Sequence, residues 1–176
     1  MDSLFRSIYC MSLPLLIVLV VGASVLFSLG YRRYKDKPWC RPVIGILFLG
    51  SIAAIFVVTL MSRMEKAEAL APTMIPFASY MEVLNGGNPE ILRSNFMNVL
   101  LFYPSGFLAA VLFPRKWHPV LTILLVCIVF AGISMGIEYC QYARTLGQAE
   151  MDDVIHNTLG ALIGSVTGYC LCRRSA

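Results

Sequence analysis

Glu138, Gln141, Arg144, Asp152, Asp153 and Asn157 form a polar cluster between two long apolar stretches, just ahead of a ladder of Gly160, Gly164 and Gly168. Ionisable groups at membrane depth are expensive, which makes them more often working residues than decoration. Their types define the chemistry on offer. The Glu138 carboxylate can serve as acid, base or acceptor for hydroxyls, the Arg144 guanidinium can hold phosphate or carboxylate, and the amides of Gln141 and Asn157 can orient a ligand. No Walker loop or HExxH signature occurs, and the groups on offer for a reaction at this cluster are carboxylates and amides. The same residues suit catalysis or binding without catalysis.

Spacing groups these residues. Ser134, Glu138, Gln141 and Thr145 fall four, three and four apart, one face of a helix that outlasts its apolar part. Glu138 follows His118 by about 20 residues, hence ~30 Å along that helix, at the outer edge of the hydrocarbon. Arg144 is a candidate partner there. Asp153, Asn157, Gly160, Gly164 and Thr167 repeat at four, three, four and three on the next helix. The small-xxx-small steps of that ladder match a shallow face at Gly132 and Gly136. Close packing of the fourth and fifth spans through these five glycines is therefore predicted, bringing Glu138 near Asn157. Asp152 or Asp153 is expected to cap the last helix, where negative charge suits the helix dipole. Asn95 and Asn98 belong to the third span, where Pro104 removes a donor, frees the Leu100 carbonyl and predicts a kink or break.

Each feature also has a plainer role. Glycine ladders are packing devices far more often than ligand sites, and all five glycines are assigned to packing. Asn98 and Asn157 suit interhelical hydrogen bonds as well as substrate contacts. Asp152 alone reads as a cap, and His156, four residues later, as structural. Arg144 suits headgroup snorkelling or a phosphate clamp, and the convergence of polar groups favours the clamp. Glu138 has the strongest functional claim, because a neutral residue would fill a structural role at lower cost.

The elements that must position this cluster are membrane helices. Of 176 residues 58% are hydrophobic and 14% charged, with mean hydropathy +0.74, too apolar for a soluble domain of this length. About 20 apolar residues cross the ~30 Å hydrocarbon layer. Five stretches qualify, residues 11–30, 43–61, 95–113, 120–137 and 154–172, giving an all-α integral membrane fold. Residues 1–62 read as an N-terminal transmembrane hairpin, and 63–176 as a domain of three helices with one long loop. Within that loop, the stretch from Pro72 to Phe77 reads as extended, and Asn88-Pro89 as the start of a helix.

Charge sets the expected orientation. Arg32, Arg33, Lys35, Lys37, Arg41, Arg115, Lys116, Arg173 and Arg174 fall on one side, against Arg6, Arg63, Lys66, Arg93 and Arg144 on the other. The positive-inside rule then puts the N-terminus outside, the C-terminus in the cytoplasm and the polar cluster at the outer rim. The net charge of +4 is spread between apolar runs, which argues against nucleic-acid binding. The six cysteines show no metal or disulfide spacing and read as small apolar residues, so neither metal nor cofactor is expected.

The order Asn98-Val-Leu-Leu-Phe-Tyr-Pro104-Ser-Gly106-Phe, then Ser134-x3-Glu138-x2-Gln141-x2-Arg144, then Asp153-x3-Asn157-Thr-x-Gly160-x3-Gly164, resembles the VanZ-like family. Ile75-Pro76-Phe77 looks like that family's short opening motif, and the resemblance runs roughly from residue 75 to 169. It implies a bacterial multi-pass cell-membrane protein whose namesake is linked to resistance toward the lipid-tailed glycopeptide teicoplanin. It supplies no reaction. It implies that Asn98, Glu138, Gln141, Arg144, Asp153 and Asn157 are the functional positions. The expected partner is a membrane lipid or lipid-linked wall precursor at the outer leaflet, with Glu138 as acid, base or acceptor. The alternative is a non-catalytic accessory protein that alters envelope access or a partner enzyme.

Overall fold

In the computed structural model, residues 12–60, 72–114, 116–146 and 148–173 are described. Arg6, Arg63, Lys66, Arg115 and Arg174, which entered the charge comparison, lie outside them, as do Met11 and Met61 at the ends of predicted spans. The fold is all-helical: α1 (Leu13–Tyr34), α2 (Cys40–Leu60), α3 (Ala78–Leu84), α4 (Glu90–Leu112), α5 (Pro119–Ala143) and α6 (Met151–Gly168). One π-helical turn, Tyr169–Arg173, prolongs α6. All but α3 are long and apolar enough to cross a membrane. In lipid a helix satisfies its backbone internally, so long apolar runs settle into helices whatever their propensities.

Local chemistry sets the helix starts. Asn88 Oδ1 accepts the Glu90 amide at 3.0 Å, so α4 begins about where Asn88-Pro89 predicts. The His118 ring accepts from Val120 at 3.3 Å with Pro119 in the first turn of α5. That helix runs to Ala143, carrying Glu138 and Gln141 past the predicted apolar end at residue 137.

Central to the bundle is α4, buried from Phe102 to Val111 except at Pro104. The helix is continuous through Pro104, where a kink or break was predicted; the proline faces outward and α4 is not broken there. Two apolar clusters flank α4. Phe107, Leu108 and Val111 join Cys40, Ile44 and Cys172 in one. Phe102 joins Ile55, Val126, Phe130, Ile137 and Ala161 in the other, with Phe102 and Phe130 edge to face at 6.1 Å.

The glycine ladder meets α4, and this corrects the expected pairing with α5. A Cβ at Gly160 would collide with the Val99 carbonyl oxygen, one at Gly164 with that of Tyr103, and one at Gly168 with that of Phe107. From the other side, a Cβ at Gly106 would strike the Ala161 carbonyl. Such backbone approach is what small residues permit in a bundle without a hydrophobic driving force between helices. Gly132 and Gly136 instead face outward, with nothing within 4 Å of an added Cβ.

Arg32, Arg41 and Arg173 mark one end of the bundle. Arg32 donates to Leu171 O at 2.9 Å, Arg41 to Leu112 O at 2.9 Å, and Arg173 to Pro114 O at 2.7 Å. These cations satisfy carbonyls left open at helix C-termini, where the helix dipole favours them. The polar cluster lies at the opposite end.

Candidate functional site

Five elements converge at that end: the last turn of α2, the segment 72–84, the first half of α4, the last turns of α5 and the first turns of α6. Asp152 and Asp153 sit in the first turn of α6, but neither caps it. Glu150 occupies the cap position and no side chain bonds there. The expected capping role is therefore corrected.

Asp152 is buried and reaches across to the segment before α3. Its Oδ1 accepts from the Phe77 amide, and its Oδ2 accepts from the Ser79 amide at 2.9 Å and from the Ser79 hydroxyl. Phe77 has a left-handed backbone at φ 61°, uncommon for a bulky residue. That conformation costs roughly 1–2 kcal/mol, and charge-assisted bonds of roughly 1.5–3 kcal/mol each offset it. Asn95 Nδ2 donates to Ser79 Oγ at 2.8 Å, tying α4 to the same point. His156 Nδ1 meets the Asp152 carbonyl at 2.6 Å, its Nε2 meets Tyr80 Oη at 2.8 Å, and the two rings stack. The four-residue spacing does bring His156 to Asp152, but to its backbone carbonyl and not its carboxylate, and both ring nitrogens are engaged there.

Of the expected extended piece from Pro72 to Phe77 only the start, around Thr73, is extended and docks on the α5–α6 connection; residues 75–77 bend and turn, with Phe77 left-handed. Thr73 N donates to Ala149 O at 2.9 Å and Met151 N to Thr73 O at 3.0 Å, a single parallel bridge. Gln148 adds a side-chain bond to Thr73 Oγ1. The segment is thus fastened over the start of α6 at Thr73 and again at Phe77, Ser79 and Tyr80.

Below this latch a polar stripe descends between the helices. Asn98 Nδ2 donates to Asp153 Oδ1 at 2.6 Å, joining α4 to α6. One turn deeper, Asn157 Nδ2 donates to Ser134 Oγ at 2.8 Å, joining α6 to α5. Asn157 lies six residues into α6, about 9 Å below its start, and is only 2% exposed. Its Oδ1 has no hydrogen-bond partner among the described residues. An unpaired buried carbonyl costs roughly 1–3 kcal/mol, so this acceptor has capacity that the bundle does not use. Gln141 is 1% exposed and donates to Thr59 O at 2.9 Å, closing an open carbonyl at the end of α2.

Glu138 lies one turn beyond Ser134 on α5, 6% exposed, and its Oε2 accepts the Glu150 amide at 3.1 Å. That bond requires the chain to reverse within the short connection. Thr145 supplies the reversal at φ 54°, with Leu146 N donating to Gln141 O at 2.8 Å. Outside Glu138 is a cleft of about 430 Å³, lined mainly by Met74, Met135, Tyr139, Tyr142 and Val154. Its walls are overwhelmingly apolar, with Glu138 and Glu150 as the acidic residues lining it.

Arg144 does not join the cluster. It is the exposed C-cap of α5, and none of its described side-chain contacts reaches Glu138. A helix end points the chain into solvent or headgroups, and a long cation follows it there. The structure thus brings Asn98, Asp153, Asn157, Glu138 and Gln141 to one end and leaves Arg144 at its margin. Ser79, Tyr80 and Thr59 were missed by sequence reasoning. Their polarity is unremarkable in a loop or at a helix end, and only Asn95, among the latch residues of α4, carried a signal as an amide inside an apolar span. Among the described residues no group of three or more His, Cys, Asp or Glu side chains could hold a metal ion.

A family model described as VanZ/LLP1 matches residues 42–172, from the start of α2 to the end of the π turn. The match opens well upstream of Ile75, where the motif resemblance starts, and so takes in α2. No curated protein and no solved structure matches the chain.

Proposed function

The chain belongs to the VanZ/LLP1 family, and from that premise we propose that this multi-pass membrane protein binds or processes an amphiphilic component of the bacterial cell envelope, a lipid or lipid-linked wall precursor, in the cleft beside Glu138. The observation that carries the reading is that Glu138, with Glu150 beside it, lines a cleft of about 430 Å³ whose walls are otherwise overwhelmingly apolar. Hydrocarbon fits the Met74, Met135 and Val154 walls, and Glu138 accepts from a hydroxyl or amine of the ligand's polar part. If a proton moves, Glu138 is the acid or base. Asn98, Gln141, Asp153 and Asn157 do not line the cleft but tie together the helices behind it, and of these Asn157 keeps a buried Oδ1 that the bundle does not use. Arg144, at the rim, meets a phosphate or carboxylate of the headgroup. The positive-inside rule supports placing the Glu138 end at the outer leaflet and the basic end in the cytoplasm. Altered handling of such a component is also the route by which the protein would contribute to teicoplanin resistance.

The test compares lipids and wall precursors in cells carrying the wild type, Glu138→Gln or no protein, alongside teicoplanin susceptibility. Accumulation of one component in both the Glu138→Gln and the null cells is the expected outcome. A normally inserted Glu138→Gln protein that behaves like wild type would remove the acid/base and acceptor roles.

A second reading, a non-catalytic accessory protein, is favoured by the internal use of the polar groups. Asp152, Asn98, Asp153 and Gln141 all bond within the bundle. On that reading, bulk at Gly160 or Gly164 harms function more than neutralising Glu138 does.

A further inference from the structure

Toward the end of the bundle opposite Glu138, two separate cavities follow one another along the crevice between α1, α2 and α4. The one nearer the basic end, about 230 Å³, is lined by Tyr31, Lys35, Arg41, Ile44 and Leu112 among others. The deeper one, about 290 Å³, is lined by Val20, Phe27, Leu47, Phe107 and Leu108 among others. Their registers agree on all three helices. Phe27 to Tyr31 on α1, Leu47 back to Ile44 on α2, and Leu108 to Leu112 on α4 are each one helical turn, about 5 Å. The crevice is therefore basic at its mouth and apolar below, and among the described residues no Asp or Glu lines either part.

Its origin lies in how α1 sits. Only Leu16, Ser24 and Ser28 of that helix are buried. It is held at the basic end by Arg32 on Leu171 O, and midway by Ser24 Oγ against Tyr103 Oη at 2.9 Å. Between these two ties Phe27 sets its ring edge to face against Phe107 at 5.4 Å, and the cavities open beside these few contacts. At the mouth, Arg41 uses one N–H on Leu112 O, which fixes its guanidinium while further donors remain. Lys35 adds an ammonium. An arginine and a lysine converging without a carboxylate select phosphate, by paired hydrogen bonds and charge together.

We propose that this crevice binds an anionic phospholipid, its phosphate on Lys35 and Arg41 and an acyl chain along the wall from Tyr31 to Val20, about 16 Å of helix. The site lies in the opposite leaflet from Glu138 and does not depend on the function proposed there.

To test it, the full chain in maltoside detergent is offered equal phosphatidylglycerol and phosphatidylcholine, and retained lipid is counted by native mass spectrometry. Phosphatidylglycerol is expected to be retained about fivefold better for each basic contact. Lys35→Gln should cut that preference about fivefold, while Lys37→Gln, outside the crevice, leaves it unchanged. Ala23→Phe, which fills the apolar part, should lower retention without changing thermal stability. Equal retention of the two lipids, or an equal effect of Lys37→Gln, would overturn the proposal in favour of diffuse charge attraction. Displacement of phosphatidylglycerol by equimolar glycerol phosphate, or an Ala23→Phe variant that retains lipid normally, would overturn the lipid assignment and leave a site for free phosphate.

Discussion

Gly164→Ala and Gly132→Ala, the same change on two helices, should have opposite effects. At Gly164 the added Cβ overlaps the Tyr103 carbonyl oxygen and stands 2.8 Å from Phe107 N and 3.0 Å from Tyr103 C. Carbon contacts are comfortable only from about 3.5 Å, so α6 must withdraw from α4 by a sizeable fraction of an ångström. The colliding atoms are backbone, which cannot rotate aside as a side chain would. Overpacking of this kind costs about 1–3 kcal/mol, or roughly 5- to 150-fold in the folded ratio. At Gly132 an added Cβ meets nothing within 4 Å, leaving only the helix-propensity gain. That gain is at most about 1 kcal/mol and is common to both variants, so their difference isolates the packing cost. Unfolding in maltoside micelles titrated with dodecyl sulfate, followed by fluorescence of Trp39 and Trp117, reads the two midpoints. A Gly132→Ala protein as destabilised as Gly164→Ala would refute the α4–α6 interface and restore the α5–α6 pairing that the sequence suggests.

Other outcomes follow from the same end of the bundle. Asp152→Ala should release residues 72–84, because each buried donor left open costs about 1–3 kcal/mol. Maleimide labelling of a Phe77→Cys reporter should then quicken, with Asp152→Asn intermediate, and unchanged labelling would show that the carboxylate does not hold the segment. Asn98→Ala and Asp153→Ala should be non-additive by about 0.5–3 kcal/mol in the same dodecyl sulfate titration, as residues sharing one bond are; simple additivity would deny the bond. Arg144→Gln should leave stability within about 0.5 kcal/mol, since its side chain is exposed. A larger loss would place the guanidinium inside the cluster.

Much of the scaffold is legible from composition and local chemistry. The predicted spans overlap α1, α2, α4, α5 and α6 because lipid imposes one length on any apolar crossing. Asn88-Pro89 marks the start of α4 because caps and prolines act within a few residues, whereas the run from Pro72 is extended only near Thr73 and turns at residues 75–77. Helical periodicity likewise puts Ser134 and Glu138 one turn apart on α5. It cannot say that Gln141, on the same face, reaches the Thr59 carbonyl on α2.

Which residues carry polar or small side chains, and on which helix face, is decided by the sequence alone. What those faces meet is decided by the bundle. The stripe of Gly160, Gly164 and Gly168 is an offer of close approach to any smooth neighbour, and Gly132 with Gly136 matched it on paper as well as Gly106 did. The choice fell to α4 because contacts made together by many atoms fix helix order: Asn98 on Asp153, Gly106 against Ala161, and Thr167 Oγ1 on Tyr103 Oη at 3.0 Å all favour that face. Asp152 shows the same division. Its charge and place in the first turn of α6 follow from the chain, but its partners, Phe77 and Ser79, lie over seventy residues upstream. Local patterns carry no address across such a separation; only a folded bundle brings those amides to the carboxylate.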